Sequence, residues 1–344
     1  MLNGDAKENF RAEYEVHLTR KEEAQAAKTA DKERATGERA FVSATFDLES
    51  VLQIPSSPVS QMYYSRKICV YNLCVYEAAP PKQAFCYCWP EMEGGRGSNE
   101  ISTCLFKWLN QLPRTVEEVS LFSDTCGGQN RNQNVAAMFL YAVQKLPIQM
   151  ITHNFLESGH SHMECDSMHS AIETETKYKD VYTMLDWMSI FRRARTRNPY
   201  KVTNFHYRDI YDLHEIALLL MKNRRRDEDG NAVNWLLVKS FRYEKANPGF
   251  VMYRYNYTDD FKKIYVFGQR RPPALPTEVT KAYRSRIPIS EAKKNDLLKL
   301  CRQLAIPEEV HPWFRALPTS RHAQDRLTEP GVEDSGSDDS EEDS

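Results

Sequence analysis

Along the chain the spacing of apolar residues shifts several times between helical and strand periods, and each shift marks an element. Residues 6–39 are rich in Ala, Glu, Lys and Arg, with Phe10, Tyr14, Val16 and Leu18 all in the first half, which predicts a largely solvated helix. After Gly37 the chain reads Phe-Val-Ser-Ala-Thr-Phe-Asp-Leu, a β-type stretch that carries Asp47. Pro55 and Pro58 interrupt the chain, and residues 67–76 and 84–89 then read as two strands joined across Ala-Ala-Pro-Pro-Lys, a hairpin. The Gly94-Gly95-Arg96-Gly97 loop leads to Ser98 as helix cap and to a helix through Ile101, Leu105, Trp108 and Leu109 that stops at Pro113. A short apolar strand over 119–123 ends at Asp124, Gly127 and Gly128 permit a tight turn, and residues 132–145 run with helical spacing. A strand over 148–155, a helical segment to about Thr176 and a helix over 182–195 follow.

The order strand, strand, strand, helix, strand, helix, strand, helix predicts an α/β fold with a mixed sheet packed by helices. Beyond Pro199 the texture changes: 213–222 reads as a helix, 231–267 as several strands in which Tyr253, Tyr255 and Tyr257 alternate with Arg254 and Asn256, and 290–304 as a closing helix. The expected organisation is a charged helical segment over 1–40, a main domain over 41–198, a smaller, mainly β C-terminal domain over 199–318, and a tail over 319–344.

Composition narrows the setting. Hydrophobic residues make up 41% and charged residues 27% of the 344, and no apolar run approaches the ~20 residues of a membrane helix. The first 40 residues lack the apolar centre of a secretory signal, which points to an intracellular protein with no membrane partner. Eight cysteines are scattered through strands and helices, as suits reduced thiols, and Cys86-Tyr-Cys88 has the wrong spacing for a zinc knuckle. The net charge of -2 hides an asymmetry: Glu329 to Ser344 holds eight acids and no base, so the tail is expected to be disordered and the rest of the chain is basic. Arg192, Arg193, Arg195 and Arg197, with Lys201 and Arg208, form a run without acids, and Arg224, Arg225, Arg226, Lys262, Lys263, Arg270 and Arg271 add to it. Clustered cations of this kind suit phosphate contact as well as they suit a solvated helix face.

The candidate chemistry lies in carboxylates arriving from separate elements. Asp124 at the end of an apolar strand could simply order its turn, as Asp often does. Asp47 in a first strand and Asp166 at a helix start change that weighing, and Asp166, His169 and Glu173 are spaced to share one helix face. Hard divalent ions take oxygen ligands, and a pair of such ions can hold both the attacking and the leaving oxygen in phosphoryl transfer. Asp47, Asp124 and Asp166 are the expected ligands of Mg²⁺ or Mn²⁺, with Glu173 in reserve. His153, His160, His162 and His169 with Cys126 and Cys165 form a competing set suited to zinc, without a recognised ligand spacing beyond helical pairs.

The segments Thr45-Phe-Asp-Leu, Phe122-Ser-Asp-Thr-Cys-Gly-Gly-Gln-Asn-Arg-Asn and Ser158-Gly-His-Ser-His-Met-Glu-Cys-Asp, then Ile172-Glu173, resemble a family of uncharacterised animal proteins associated with mobile elements. That family is similar to integrase-like transposases of the DDE/D class, and the likeness covers roughly residues 41–205. It implies a ribonuclease H-like fold, Asp47 and Asp124 as metal ligands, and Asp166 or Glu173 as the third. It also implies DNA as partner, a nuclear setting, and a cysteine-rich amino-terminal region in longer relatives. Gln129 or Asn130 would then orient phosphate or the attacking oxygen. Two alternatives stay open: a catalytically inactive, domesticated DNA-binding or protein-interaction module of the same fold, and a zinc-stabilised structural domain. Self-association is compatible with each.

Overall fold

The computed structural model describes residues 4–58, 62–157, 163–268 and 272–325, with side chains from residue 14 onward. His160, His162, Arg270, Arg271 and the acidic run from Glu329 lie outside the described residues. A long helix, α1 (Gly4–Gly37), leads into β1 (Phe41–Leu48), the short β2 (Leu52–Ile54), and a hairpin of β3 (Ile68–Glu77) and β4 (Ala84–Pro90). Next come α2 (Ser98–Gln111), β5 (Glu118–Ser123), α3 (Gln133–Lys145), β6 (Met150–Phe155), α4 (Glu164–Thr176) and α5 (Met184–Arg193). They are followed by β7 (Lys201–Asn204), α6 (Leu213–Leu220), β8 (Ser240–Glu244), β9 (Phe250–Arg254) and β10 (Lys262–Tyr265). β11 (Ile289–Ser290), α7 (Glu291–Arg302), α8 (His311–Arg315) and β12 (Thr319–Ser320) close the described chain.

Among the described residues one mixed sheet dominates, in the order β10-β9-β8-β6-β5-β1-β3-β4-β7, with β2 on β3. β1, β3 and β4 form an antiparallel meander, while β5 lies parallel to β1 and β6 parallel to β5. β1, β4, β5 and β6 therefore run the same way, and their carboxyl ends share one edge of the sheet. Expected strands and helices appear with boundaries moved by a few residues. One local expectation is corrected: Gly97, not Ser98, stands at the cap of α2. The amide of Gly97 is served by Glu100 in the first turn, whose Oε2 accepts from Gly97 N at 3.2 Å.

The strands expected of a small second domain lie in the main sheet. β7 pairs parallel with β4, and β8, β9 and β10 continue antiparallel from β6, so residues 199–318 share the core of the segment before them. An unpaired edge of β6 offers a row of free amides and carbonyls, and antiparallel addition satisfies them.

Strand alternation assigns side chains to two helical layers. Tyr71, Leu73 and Val75 of β3 and Phe85, Tyr87 and Trp89 of β4 pack with α2, α3 and α6. Val70 and Cys74, with Cys86 and Cys88, face α4, α5 and α7 on the other side. In β1, Ala44, Phe46 and Leu48 belong to the first face. Period-two geometry then turns Thr45, Asp47 and the next residue, Glu49, toward α4. α1 is largely solvated, as its composition predicts; it touches the body through Ala24 and through Lys28–Glu164 (3.1 Å) and Arg34–Glu118 (2.7 Å).

Candidate metal centre

Asp47 of β1 and Asp166 and His169 of α4 bring one ligand atom each to within 4.8 Å of one another. The strand supplies Asp47 because Phe46 and Leu48 are turned into the opposite layer, and α4 supplies the other two because residues three apart share a helix face. The thiol of Cys165, beside Asp166, is buried and donates toward the carbonyls of Thr45 and Cys74, both at 3.5 Å, which seats the first turn of α4 on β1 and β3. Asp166 Oδ2 accepts from Met163 N at 2.8 Å. Asp166 is thus both the helix-start residue that its position suggests and a member of the cluster.

Electrostatics set the protonation of this group in the ion-free protein. Burial, and after it the charges of Asp124 and Asp166, push Asp47 up from the usual carboxylate range to about 7, against the Leu48 amide and the Arg96 guanidinium. Burial pushes His169 down to about 4, with Asp166 opposing. Neutral at pH 7, the imidazole keeps a lone pair, and its buried Nε2 has no hydrogen-bond partner among the described residues. Two residues along from Asp47 on the same face, Glu49 is 1% exposed and is raised to about 8, chiefly by burial. Its Oε2 accepts from Asn72 Nδ2 at 2.8 Å, whereas its Oε1 has no described partner. Clustered acids, a neutral imidazole and an orphaned ring nitrogen are a donor set that fits a divalent cation.

Asp124 flanks the cluster and is not one of the three converging groups. Its Oδ1 accepts from Cys126 N at 3.0 Å and from Asn130 Nδ2, and the carbonyl of Cys126 closes the turn by accepting from Gln129, Asn130 and Arg131 at 3.3, 2.7 and 3.1 Å. Asn130, 3% exposed, therefore braces Asp124, and partly buried Gln129 enters the turn through its backbone amide. Glu173, exposed one turn beyond His169, faces Glu49, whose carboxyl its charge raises. Of the soft donors, His153 is wholly buried, bonded to Ser123 Oγ at 2.9 Å, and ringed by Phe46, Phe139 and Phe155. Of the described members of that competing zinc set, only His169 joins the centre.

The basic run divides. Arg195 binds the carbonyls of Asn198 and Lys82 at 2.6 and 3.2 Å and stacks over Tyr200, so it is a structural clasp. Arg193 pairs with Glu175 at 3.6 Å, while Arg192 and Arg197 are exposed. The sequence placed His169 on the helix face of Asp166 but assigned it to the zinc set rather than to the acids, and it gave no role to Glu49 or Arg96. His169 and Glu49 carried signals, the three-residue step from Asp166 and the two-residue step from Asp47.

Residues 78–245 match the family model of a domain of unknown function, DUF7869. The matched span carries Asp124, Asp166 and His169 and starts beyond Asp47 and Glu49. No curated protein and no solved structure matches the chain. No helix among the described residues is long and apolar enough to cross a membrane.

Proposed function

We propose that this chain is a transposon-derived polynucleotidyl transferase or nuclease-like domain of the DDE/D type, acting on phosphodiesters of DNA with Mg²⁺ or Mn²⁺. The observation that carries the reading is the convergence of Asp47, Asp166 and His169 at the carboxyl edge of β1 and the first turns of α4. The strand order supports a ribonuclease H-like fold: an antiparallel three-strand meander whose first strand begins a parallel run with two more, each preceded by a helix.

A divalent ion in such a site stabilises charge on phosphoryl oxygens and lowers the pKa of a bound water. The chain's own part is to hold that charge in place. Asp47 and Asp166 supply the anionic oxygens, His169 a neutral nitrogen, and Asp124, braced by Asn130, a further carboxylate beside them. Asp47, which holds its proton up to about 7, would have to release it to hold an ion, so affinity is expected to rise with pH toward about 7.

A specific observation favours a second reading, the catalytically inactive module: Asp124 already serves its turn through Cys126 N and Asn130. Calorimetric titration with Mn²⁺ separates the two. We expect binding by the wild type, loss of binding in Asp47→Asn and His169→Ala with the circular dichroism spectrum unchanged, and weaker binding in Asp124→Asn. Equal heats in all four proteins, or none in any, would sink the metal centre and leave the inactive module.

A further inference from the structure

We propose that Arg96 is the phosphate-contacting residue of this centre and that Tyr283, which braces its loop, is a positioning residue; the inference rests on the phosphodiester reading above. The loop between β4 and α2 leaves the sheet at the same edge as Asp47 and Asp124, because β4 runs parallel in direction to β1 and β5. It is tied to the Asp124 turn through the adjoining helix starts, where Asn134 Nδ2 of α3 donates to Ser98 Oγ of α2 at 2.8 Å. Among the described residues the Arg96 side chain has no hydrogen bond or ion pair, and it is exposed. The Arg96 charge also acts on Asp47, and it acts on Cys126 in the Asp124 turn as well.

The backbone that carries Arg96 is held on several sides, unlike the side chain. Glu100 accepts from Gly95 N at 2.7 Å and from Gly97 N at 3.2 Å, and Trp89 Nε1 donates to the Gly95 carbonyl at 2.8 Å. Gly94 packs so closely on Trp89 that a β-carbon there would stand 3.0 Å from the ring. A strap from the C-terminal part of the chain then closes over the loop. Tyr283 Oη donates to Glu100, Arg286 Nε pairs with Glu93 at 2.6 Å, Ile287 N donates to Met92 O at 2.8 Å, and Lys293 Nζ pairs with buried Glu91 at 2.7 Å. A fixed loop presenting an unengaged guanidinium beside a carboxylate centre is the arrangement a phosphodiester needs: acids hold the cation, and a planar cation outside them meets the remaining phosphate oxygens.

The test measures binding of a fluorescein-labelled duplex DNA oligonucleotide in Mn²⁺ by anisotropy across a salt series, with Mn²⁺ calorimetry on the same proteins. Arg96→Ala is expected to weaken DNA binding about tenfold and to lower the salt slope by about one counterion, with Mn²⁺ binding intact. Arg96→Lys should keep the slope while losing part of the affinity. Tyr283→Phe should weaken DNA binding by a smaller factor with the slope and Mn²⁺ binding unchanged, the mark of a loop less well held. Unchanged affinity and slope in Arg96→Ala, in a protein that binds both Mn²⁺ and DNA, would overturn this proposal and leave the metal centre standing. A wild type that takes up no Mn²⁺ overturns the phosphodiester reading and this proposal with it.

Discussion

Asp47 is a residue that costs the ion-free fold stability. Its carboxyl is held up to about 7 in the fold, against an ordinary value near 3.8. The folded state therefore grips the proton more tightly than the unfolded chain; the associated stability is complete below pH 4 and is lost as pH rises from about 4 to 7. Glu49, raised to about 8, extends the loss upward. In EDTA, Asp47→Asn is accordingly expected to raise stability at pH 8 by on the order of 2 kcal/mol and to change it little at pH 4, as urea melts would record. An Asp47 that merely solvated its strand would give no such gain. Much of this residue-scale picture was legible. Asp47 was readable as an acid within a first strand, Asp124 at a strand end and Asp166 at a helix start, and the dual role of Asp124 as turn former was readable from its neighbours. Arg96 was not, because nothing in Gly-Gly-Arg-Gly says that the loop after a fourth strand folds beside the first.

At the scale of elements, periodicity fixed type well and local detail less well. Gly127 and Gly128 read as the makers of a tight turn, yet the turn is built by the Cys126 carbonyl and the Asp124 side chain, and a β-carbon on Gly127 would meet nothing within 4 Å. A glycine that the backbone does require is Gly249, at φ +84°, where a β-carbon would stand 2.6 Å from the Phe267 ring. Gly127→Ala should thus stay within about 0.5 kcal/mol of wild type, whereas Gly249→Ala should cost roughly 2 kcal/mol or more, both by chemical denaturation. Comparable losses at the two positions would mean that the Asp124 turn needs its glycine after all. The difference was invisible in sequence because it depends on Phe267, a partner from beyond the next two strands.

For the whole molecule, the sheet ignores the domain boundary that texture suggested near residue 199. β4 would lose β7, and β6 would lose β8, in a chain cut there, exposing two long edges and the apolar surface above them. A fragment of residues 41–198 is therefore expected to be insoluble or molten, read by loss of near-ultraviolet circular dichroism and rapid proteolysis, while residues 4–325 should behave as one cooperative unit. A fragment that melted sharply would restore the boundary. The change of texture was real; what it could not reveal is that alternating strands added to an open edge read the same as strands of a separate small sheet.

The distribution of thiols has a practical consequence. All eight cysteines are free and seven are buried, leaving Cys126, partly open, in the turn beside the acids. Burial and the charge of Asp124 keep its thiol up and its reactivity low. A maleimide dye added to the unmodified, folded protein will react slowly, yet Cys126, as the one thiol not buried, is its favoured attachment point, and that point lies next to the candidate centre: the chain carries its own handle for watching, by fluorescence, what arrives there.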